Sequence, residues 1–162
     1  MSKISRKAGG LWLLLGAALL LAAPAQAQQI PTELVGQWEA YQIGFVLSGA
    51  VPDSVRDRLN DPQTADLNHA IAEGTARLRV EFRADGGYRF TVTRGADVVQ
   101  TEVGTYSVVN GRLQASSPSS RSGSSFHDQQ IRKLSRRVLL LAFPVGEYMP
   151  GVEEEVEYRR VK

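Results

Sequence analysis

The chain contains no cysteine, and this absence excludes two classes of exported protein. Without cysteine there is neither a disulfide framework nor an amino-terminal cysteine that carries a lipid. Histidine is almost as scarce, since only His69 and His127 occur in the sequence. Neither has the spacing of a metal ligand, so we expect no metal site and no other cofactor.

The sequence also lacks a motif that supports catalysis. Ser124 and Ser125 stand just before His127 and Asp128, but adjacent residues of a strand point to opposite faces. A catalytic triad also needs a specialised turn and an oxyanion hole. We therefore expect that the protein is not an enzyme.

The one long apolar run, residues 11–23, is too short to cross a membrane as a helix, which needs about 18 residues or more. It follows a start with three basic residues and precedes the small-x-small triplet Ala25-Gln26-Ala27. Together these features predict a secretory signal peptide, residues 1–27. We expect the mature chain, residues 28–162, to be periplasmic or secreted, with no integral membrane segment.

Acidic and basic residues nearly balance once the predicted signal peptide is removed. The full chain has 19 basic and 17 acidic residues, and three basic but no acidic ones precede position 28, which leaves 16 against 17. The alkaline pI therefore gives no reason to expect nucleic acid as a partner. Residues 28–162 suit one domain with its own hydrophobic core, and we expect a monomer.

Most of the mature chain has the pattern of short strands separated by tight turns. Apolar and charged side chains alternate with a period of two over residues 77–83, and residues 88–92 repeat the alternation. Asp85-Gly86 and Asn110-Gly111 supply the positive φ values that hairpin turns need. We predict about eight strands, which start near Leu34, Arg77, Tyr88, Val98, Arg112, Phe126, Val138 and Val152.

Sequential hairpins in this number favour a mainly β fold, an antiparallel up-and-down barrel of about eight strands. Closure of the barrel removes the exposed edges of an open sheet. Alternate connections then emerge at the same end. One end gathers the long connections, among them the Ser-rich loop 115–125 and residues 144–151, while the other end has only tight turns. We expect the elaborated end, the mouth, to carry the function.

Residues 51–75 interrupt the β pattern between the first two predicted strands. Val51, Val55 and Leu59 recur at a spacing of four, and Pro62 is suited to the first position of a second helix. We predict two short helices in this helical insertion. We expect them to cover the mouth as a lid or a permanent plug, with packing on the outer wall as the alternative.

Gly36-Gln37-Trp38 on the first predicted strand resembles the Gly-x-Trp signature of the lipocalins. In that family the tryptophan plugs the closed end of the barrel, and a basic residue after the last strand lies across its ring. The resemblance implies that role for Arg159 or Arg160. The stretches FRADGGYRF, GTYSVVNGRL and EYRRV resemble the small bacterial lipocalin-like, calycin-type domains more closely than the animal transport lipocalins.

The resemblance implies a barrel that holds a small apolar or amphipathic ligand. Tyr148 and Met149 are placed at the mouth, and Glu154 points inward there because it is in phase with Val152 and Val156. The predicted ligand-binding residues are Phe82, Phe90, Leu141, Tyr148, Met149 and Glu154. The alternative is a filled barrel that acts as a structural or protein-interaction module of the cell envelope, because eight strands leave room for a packed core or one small ligand.

Overall fold

The protein folds into a closed barrel of eight antiparallel strands, in which each strand pairs with its neighbour in the chain and the last pairs with the first. The computed structural model describes residues 30–49, 52–56, 59, 62–118, 123–147 and 149–162. The predicted fold class is confirmed, including the helical segment between the first two strands. This architecture is compatible with a lipocalin-like fold. The predicted signal peptide lies outside the described residues.

The elements follow the predicted order along the chain. The helices are α1 (Asp53–Arg56) and α2 (Pro62–Ala72). The strands are β1 (Gly36–Leu47), β2 (Ala76–Phe82), β3 (Gly87–Arg94), β4 (Asp97–Val109), β5 (Arg112–Ser116), β6 (Gln129–Leu134), β7 (Val138–Pro144) and β8 (Val152–Arg160). In the part of the chain that the structure describes, neither helix has the length and apolar composition needed to cross a membrane.

Two tight turns form where the sequence predicts them. In the β2–β3 turn Gly86 has a φ of 83°, and the carboxylate of Asp85 accepts a hydrogen bond of 2.8 Å from the Gly87 amide. In the β4–β5 turn Asn110 and Gly111 have φ values of 51° and 73°. Asparagine and glycine tolerate this left-handed region, so local sequence alone determines these two hairpins.

The start of β6 differs from the prediction. The strand begins at Gln129 rather than near Phe126, and it pairs with β5 through only two residue pairs. Phe126 instead belongs to the connection before the strand, and its side chain is buried in the barrel. Asp128, with a φ of 56°, marks the change of direction between the buried phenylalanine and the strand.

An opening in the barrel wall is partly filled by α2. β1 pairs with β2 only from Gly36 to Glu39, although β1 continues to Leu47. Both polar backbone groups of Ile43 are bonded by the side chain of Asn68 on α2. The Ile43 amide donates to Oδ1 at 2.8 Å, and Nδ2 donates to the Ile43 carbonyl at 2.7 Å. Asn68 thus takes the place of a neighbouring strand.

The two helices lie in different places relative to the mouth. Val55 and Leu59 pack in a cluster with Val152 and Met149 at the mouth, in agreement with a lid or plug. α2 packs instead against β1 and β2, and its apolar side chains contact the main core. The expectation that both helices cover the mouth therefore holds for the first segment only, because β1 leaves polar backbone groups that α2 satisfies. Val51 lies outside the described residues.

Asn68→Ala should lower the free energy of unfolding by about 1–3 kcal/mol, because it leaves both polar groups of the buried Ile43 backbone without their partner. His69→Ala is the matched control on the same helix. His69 is exposed, and its ion-pair partner among the described residues is Glu73, so its removal should change stability by less than about 0.5 kcal/mol. Urea unfolding measures both variants, and equal midpoints would contradict the role assigned to Asn68.

Candidate functional site at the barrel mouth

Trp38 and Arg160, two of the residues predicted to plug the closed end, are in contact with each other. Trp38 is fully buried, and its indole N–H donates a hydrogen bond of 2.8 Å to the Leu34 carbonyl. The guanidinium carbon of Arg160 lies 4.2 Å from the centre of the Trp38 ring. A side chain on Gly36, which has a φ of 135°, would collide with Arg160. Of the two candidate arginines, it is thus Arg160 that covers the tryptophan, while Arg159 points elsewhere.

Arg160 also ties three chain segments together at this end. Its Nε donates to the Arg136 carbonyl and its Nη1 to the Val35 carbonyl, each at 2.8 Å, and its Nη2 donates to the Glu33 carbonyl. Every guanidinium nitrogen therefore has an acceptor. The arginine acts as a fixed structural group at the closed end.

The mouth is lined by a separate apolar cluster. Val55 and Val152 are buried, and the partly buried side chains around them are Phe45, Leu47, Leu59, Val145 and Met149. The predicted site residue Met149 therefore belongs to the mouth. Tyr148, predicted beside it, lies outside the described residues.

Glu154 stands inside this end of the barrel. It lies directly opposite Phe45 of β1 and Phe143 of β7, so its side chain shares their face of the sheet. Burial raises the pKa of its carboxyl group. Among the described residues no hydrogen bond or ion pair reaches this carboxylate, an unusual state for a half-buried acid. Its charge also contributes, after burial, to raising the pKa of the Tyr158 hydroxyl further down the strand.

The other predicted ligand contacts, Phe82, Phe90 and Leu141, lie in the main core below the mouth. The ring of Phe126 occupies the space that a ligand would need beside them. Its centre lies 5.7 Å from that of Phe82, 5.7 Å from that of Tyr88 and 5.2 Å from that of Phe90. All three contacts are edge-to-face, a favoured arrangement for aromatic pairs.

A buried polar cluster, which was not predicted from the sequence, holds Phe126 in position. Glu102 is only 3% exposed. Its carboxylate accepts a hydrogen bond from the hydroxyl of Tyr88 and, at 2.6 Å, one from the hydroxyl of Ser125. The Ser125 amide donates to it as well, and Ser124 Oγ lies 2.5 Å from the Tyr88 hydroxyl. The sequence does contain one sign of this cluster. Glu102 stands an even number of positions before Tyr106 on β4, so both side chains point into the barrel.

The cluster changes the titration of its members. Burial alone would raise the pKa of Glu102, but the hydrogen bonds from Ser125, Tyr88 and Ser124 outweigh it and hold that pKa below its usual value. Burial and the adjacent Glu102 raise the pKa of Tyr88 to about 12. At neutral pH the pair is therefore a carboxylate that accepts a bond from a neutral phenol.

The stability that Glu102 contributes should be lost in acid. A carboxyl whose folded-state pKa is depressed stabilises the fold above its unfolded pKa, and this contribution disappears as the pH falls through the folded value. Glu102→Gln should therefore be less stable than the wild type near neutral pH, and the difference should shrink below about pH 4. Thermal unfolding across this range tests it. Glu81→Gln, a change on the outer face of β2, is the control, and a difference independent of pH would contradict the prediction.

The histidines and serines are engaged in local bonds. His127 Nδ1 lies 2.9 Å from the Ala115 carbonyl oxygen, and His69 Nε2 lies 3.2 Å from a carboxylate oxygen of Glu73. The side chains of Ser124 and Ser125 bond to the buried cluster, and the Ser124 carbonyl accepts a hydrogen bond of 3.1 Å from the His127 amide.

Comparison with protein-family models and with curated protein sequences gave no match. The closed eight-stranded barrel is compatible with a lipocalin-like fold, and Trp38 of the Gly36-Gln37-Trp38 segment lies beneath Arg160.

Proposed function

We propose that this protein is an extracytoplasmic lipocalin-like barrel that binds a small amphipathic molecule at its mouth. The observation that carries the proposal is Glu154, a half-buried carboxylate with no bonding partner among the described residues and with Phe45 and Phe143 beside it. Half-buried acids with a raised pKa are concentrated at functional sites. An unpaired half-buried acid lowers the stability of the fold, and proteins retain such a loss of stability where binding needs the group.

The chemistry of the site indicates the class of ligand. A carboxylate accepts hydrogen bonds, so the polar end of the ligand is a donor, either an amine or a hydroxyl. The apolar cluster of Val55, Val152 and Met149 would cover the remainder of the molecule. Small-molecule sites commonly have this composition, an apolar lining with a few polar groups that fix orientation.

A filled barrel that acts as a structural or protein-interaction module is the second candidate. Phe126 favours it, because this ring is 1% exposed and occupies the centre of the main core. The two candidates make different demands on the interior. A mouth ligand leaves Phe126 in place, whereas a ligand held deep in the barrel has to displace it.

Native mass spectrometry of the protein purified from its own host is the first experiment, and a co-purifying small molecule supports binding. Titration with n-octylamine then tests the site, and binding is monitored by the shifts of the Val152 and Met149 amide resonances. Glu154→Gln should weaken the complex about tenfold or more, because a hydrogen bond to a charged group contributes about 1.5–3 kcal/mol. Glu155→Gln, on the opposite face of β8, should bind as the wild type does. No co-purified molecule together with no shifts would favour the filled-barrel module.

Glu154→Gln should also stabilise the free protein near neutral pH. A carboxyl whose pKa is raised by burial makes the folded state bind more protons, so the wild type gains stability as the pH falls through that raised pKa. The glutamine variant lacks this dependence. Its melting temperature should exceed that of the wild type near pH 7, and the two should converge in acid. A destabilised variant at neutral pH would indicate that Glu154 has a structural partner.

A further inference from the structure

A groove of about 550 Å3 runs between α2 and the neighbouring strands β1 and β8. The aliphatic part of its lining consists of Ala40, Ile71, Ala72 and Val161. The exposed side chains of Tyr41 and Arg159 stand beside them. The groove exists because β1 and β2 separate beyond Glu39 and α2 fills only part of the opening. It is distinct from the mouth, whose apolar lining consists of other residues.

Arg159 is held in place beside this groove with its outer end free. Its guanidinium carbon lies 3.3 Å from the centre of the Tyr41 ring. Its Nε donates a hydrogen bond of 3.2 Å to the Glu157 carboxylate. Among the described residues no acceptor reaches Nη1 or Nη2, and about half of the side chain is exposed. Arg160, by comparison, uses all three of its nitrogens at the closed end.

A β-bulge orients the aromatic neighbour of Arg159. The register between β1 and β8 shifts between Ala40 and Gln42, so Tyr41 is the extra residue of β1. Bulges redirect a side chain out of the regular alternation of a strand. Here the redirected ring lies against the guanidinium plane of Arg159, which restricts the motion of the arginine before any ligand arrives.

The charges around the groove favour an anion. The charged residues that line it are Arg159, Arg160 and Glu39, and the ion-pair partners of these residues are Arg77, Arg79 and Glu157. Glu39 is already paired, with Arg79 at 2.5 Å and with Arg77 at 3.9 Å. The excess of two positive charges therefore attracts an anionic group to the rim.

We propose that this groove is a second binding site, which takes a small amphipathic carboxylate with its head on Arg159 and its apolar body against Ile71 and Ala72. The free Nη1 and Nη2 form the planar fork that binds both oxygens of a carboxylate. This ligand carries a negative charge, whereas the molecule proposed for the mouth carries a hydrogen-bond donor that binds a carboxylate. The two sites are therefore separable by experiment.

The probe is 4-phenylbutyrate, with 4-phenylbutanol as its uncharged counterpart, titrated into the isotope-labelled mature chain. The butyrate should shift the Arg159 Nε–H and the Ala72 amide resonances. Arg159→Gln should weaken binding by about tenfold or more, the range expected when a charge-assisted bidentate pair is lost. Arg112→Gln is the matched control, because Arg112 is also a strand arginine with an acid partner, Asp128. It should bind as the wild type does.

Two further variants separate this site from the mouth. Ala72→Phe fills the groove from an exposed position on α2, and it should abolish the shifts without unfolding the protein. Glu154→Gln should leave the binding of 4-phenylbutyrate unchanged, whether or not it affects n-octylamine. The proposal is overturned if 4-phenylbutyrate produces no shifts at millimolar concentration, if Arg159→Gln binds as tightly as the wild type, or if the alcohol binds equally well.

Discussion

Phe126→Ala should lower the free energy of unfolding by about 3–5 kcal/mol, the range for truncating a buried phenylalanine. The side chain is 1% exposed, and four aromatic rings surround it, those of Phe82, Tyr88, Phe90 and Tyr158. All four belong to strands of a closed barrel, so they cannot collapse into the space that the ring leaves. Urea unfolding followed by circular dichroism provides the measurement.

A neighbouring substitution and a small apolar compound serve as controls for Phe126→Ala. His127→Ala removes an exposed side chain of the same connection and should cost about 1 kcal/mol or less, the value of a single hydrogen bond. Benzene should bind to the alanine variant and restore part of its stability, because a dry apolar cavity takes up such a molecule. A loss below about 1 kcal/mol would show that Phe126 is not a core residue.

The result for benzene also bears on the function of the barrel. If only the alanine variant takes up benzene, the wild-type interior is closed to ligands, and binding is restricted to the mouth and the outer groove. If the wild type also binds benzene in its core, Phe126 moves aside in the native protein. The second outcome would place the predicted contacts Phe82, Phe90 and Leu141 back in a ligand site.

The sequence predicts those parts of the fold that depend on neighbouring residues. The strand phases follow from side-chain alternation, and the Asp85-Gly86 and Asn110-Gly111 turns follow from the backbone freedom of their residues. Barrel closure then follows from the number of hairpins and the instability of open edges. These features need no knowledge of contacts between distant segments.

The misplaced elements depend on contacts between distant segments. Phe126 follows a Ser-rich stretch, and the bonds of Ser125 to Glu102, 23 residues earlier, show that the connection folds inward. α2 lies in the wall because Asn68 bonds to Ile43, 25 residues away. The periodicity of apolar residues does not reveal a hydrogen-bond partner so distant in the chain. The position of Glu102 on the inward face of β4 indicates a buried acid, but it does not identify the groups that donate hydrogen bonds to the carboxylate.

In the candidate site, too, local features are predictable from the sequence and contacts between distant segments are not. The inward direction of Glu154 follows from its phase on β8, and the structure places it beside Phe45 and Phe143. The outer groove was not predictable, because it needs both the separation of β1 from β2 and the bulge at Tyr41. Neither feature has a local signature in the sequence.

Trp38→Ala should destabilise the protein by about 3–5 kcal/mol, as expected for the loss of a large buried aromatic side chain. Trp38 is fully buried, its N–H bonds to the Leu34 carbonyl, and Arg160 covers its ring. The substitution therefore removes a core contact, a hydrogen bond and the surface on which the arginine stacks. The loss also exposes the closed end of the barrel to water, since Leu34 packs in the same cluster.

Two companion variants divide this effect into its parts. Trp38→Phe keeps an aromatic ring but loses the N–H. It should therefore lower the free energy of unfolding less than Trp38→Ala does, because the phenylalanine ring retains part of the packing. Arg160→Gln keeps the tryptophan but removes donors from the carbonyls of Val35 and Glu33, and it should loosen the segment before β1. Trp38 is the only tryptophan of residues 28–162, so its fluorescence reports directly on this end. A red-shifted emission in Arg160→Gln would show that the arginine excludes water from the indole. An unchanged emission, together with a loss below about 1 kcal/mol for Trp38→Ala, would mean that the closed end is held by other contacts.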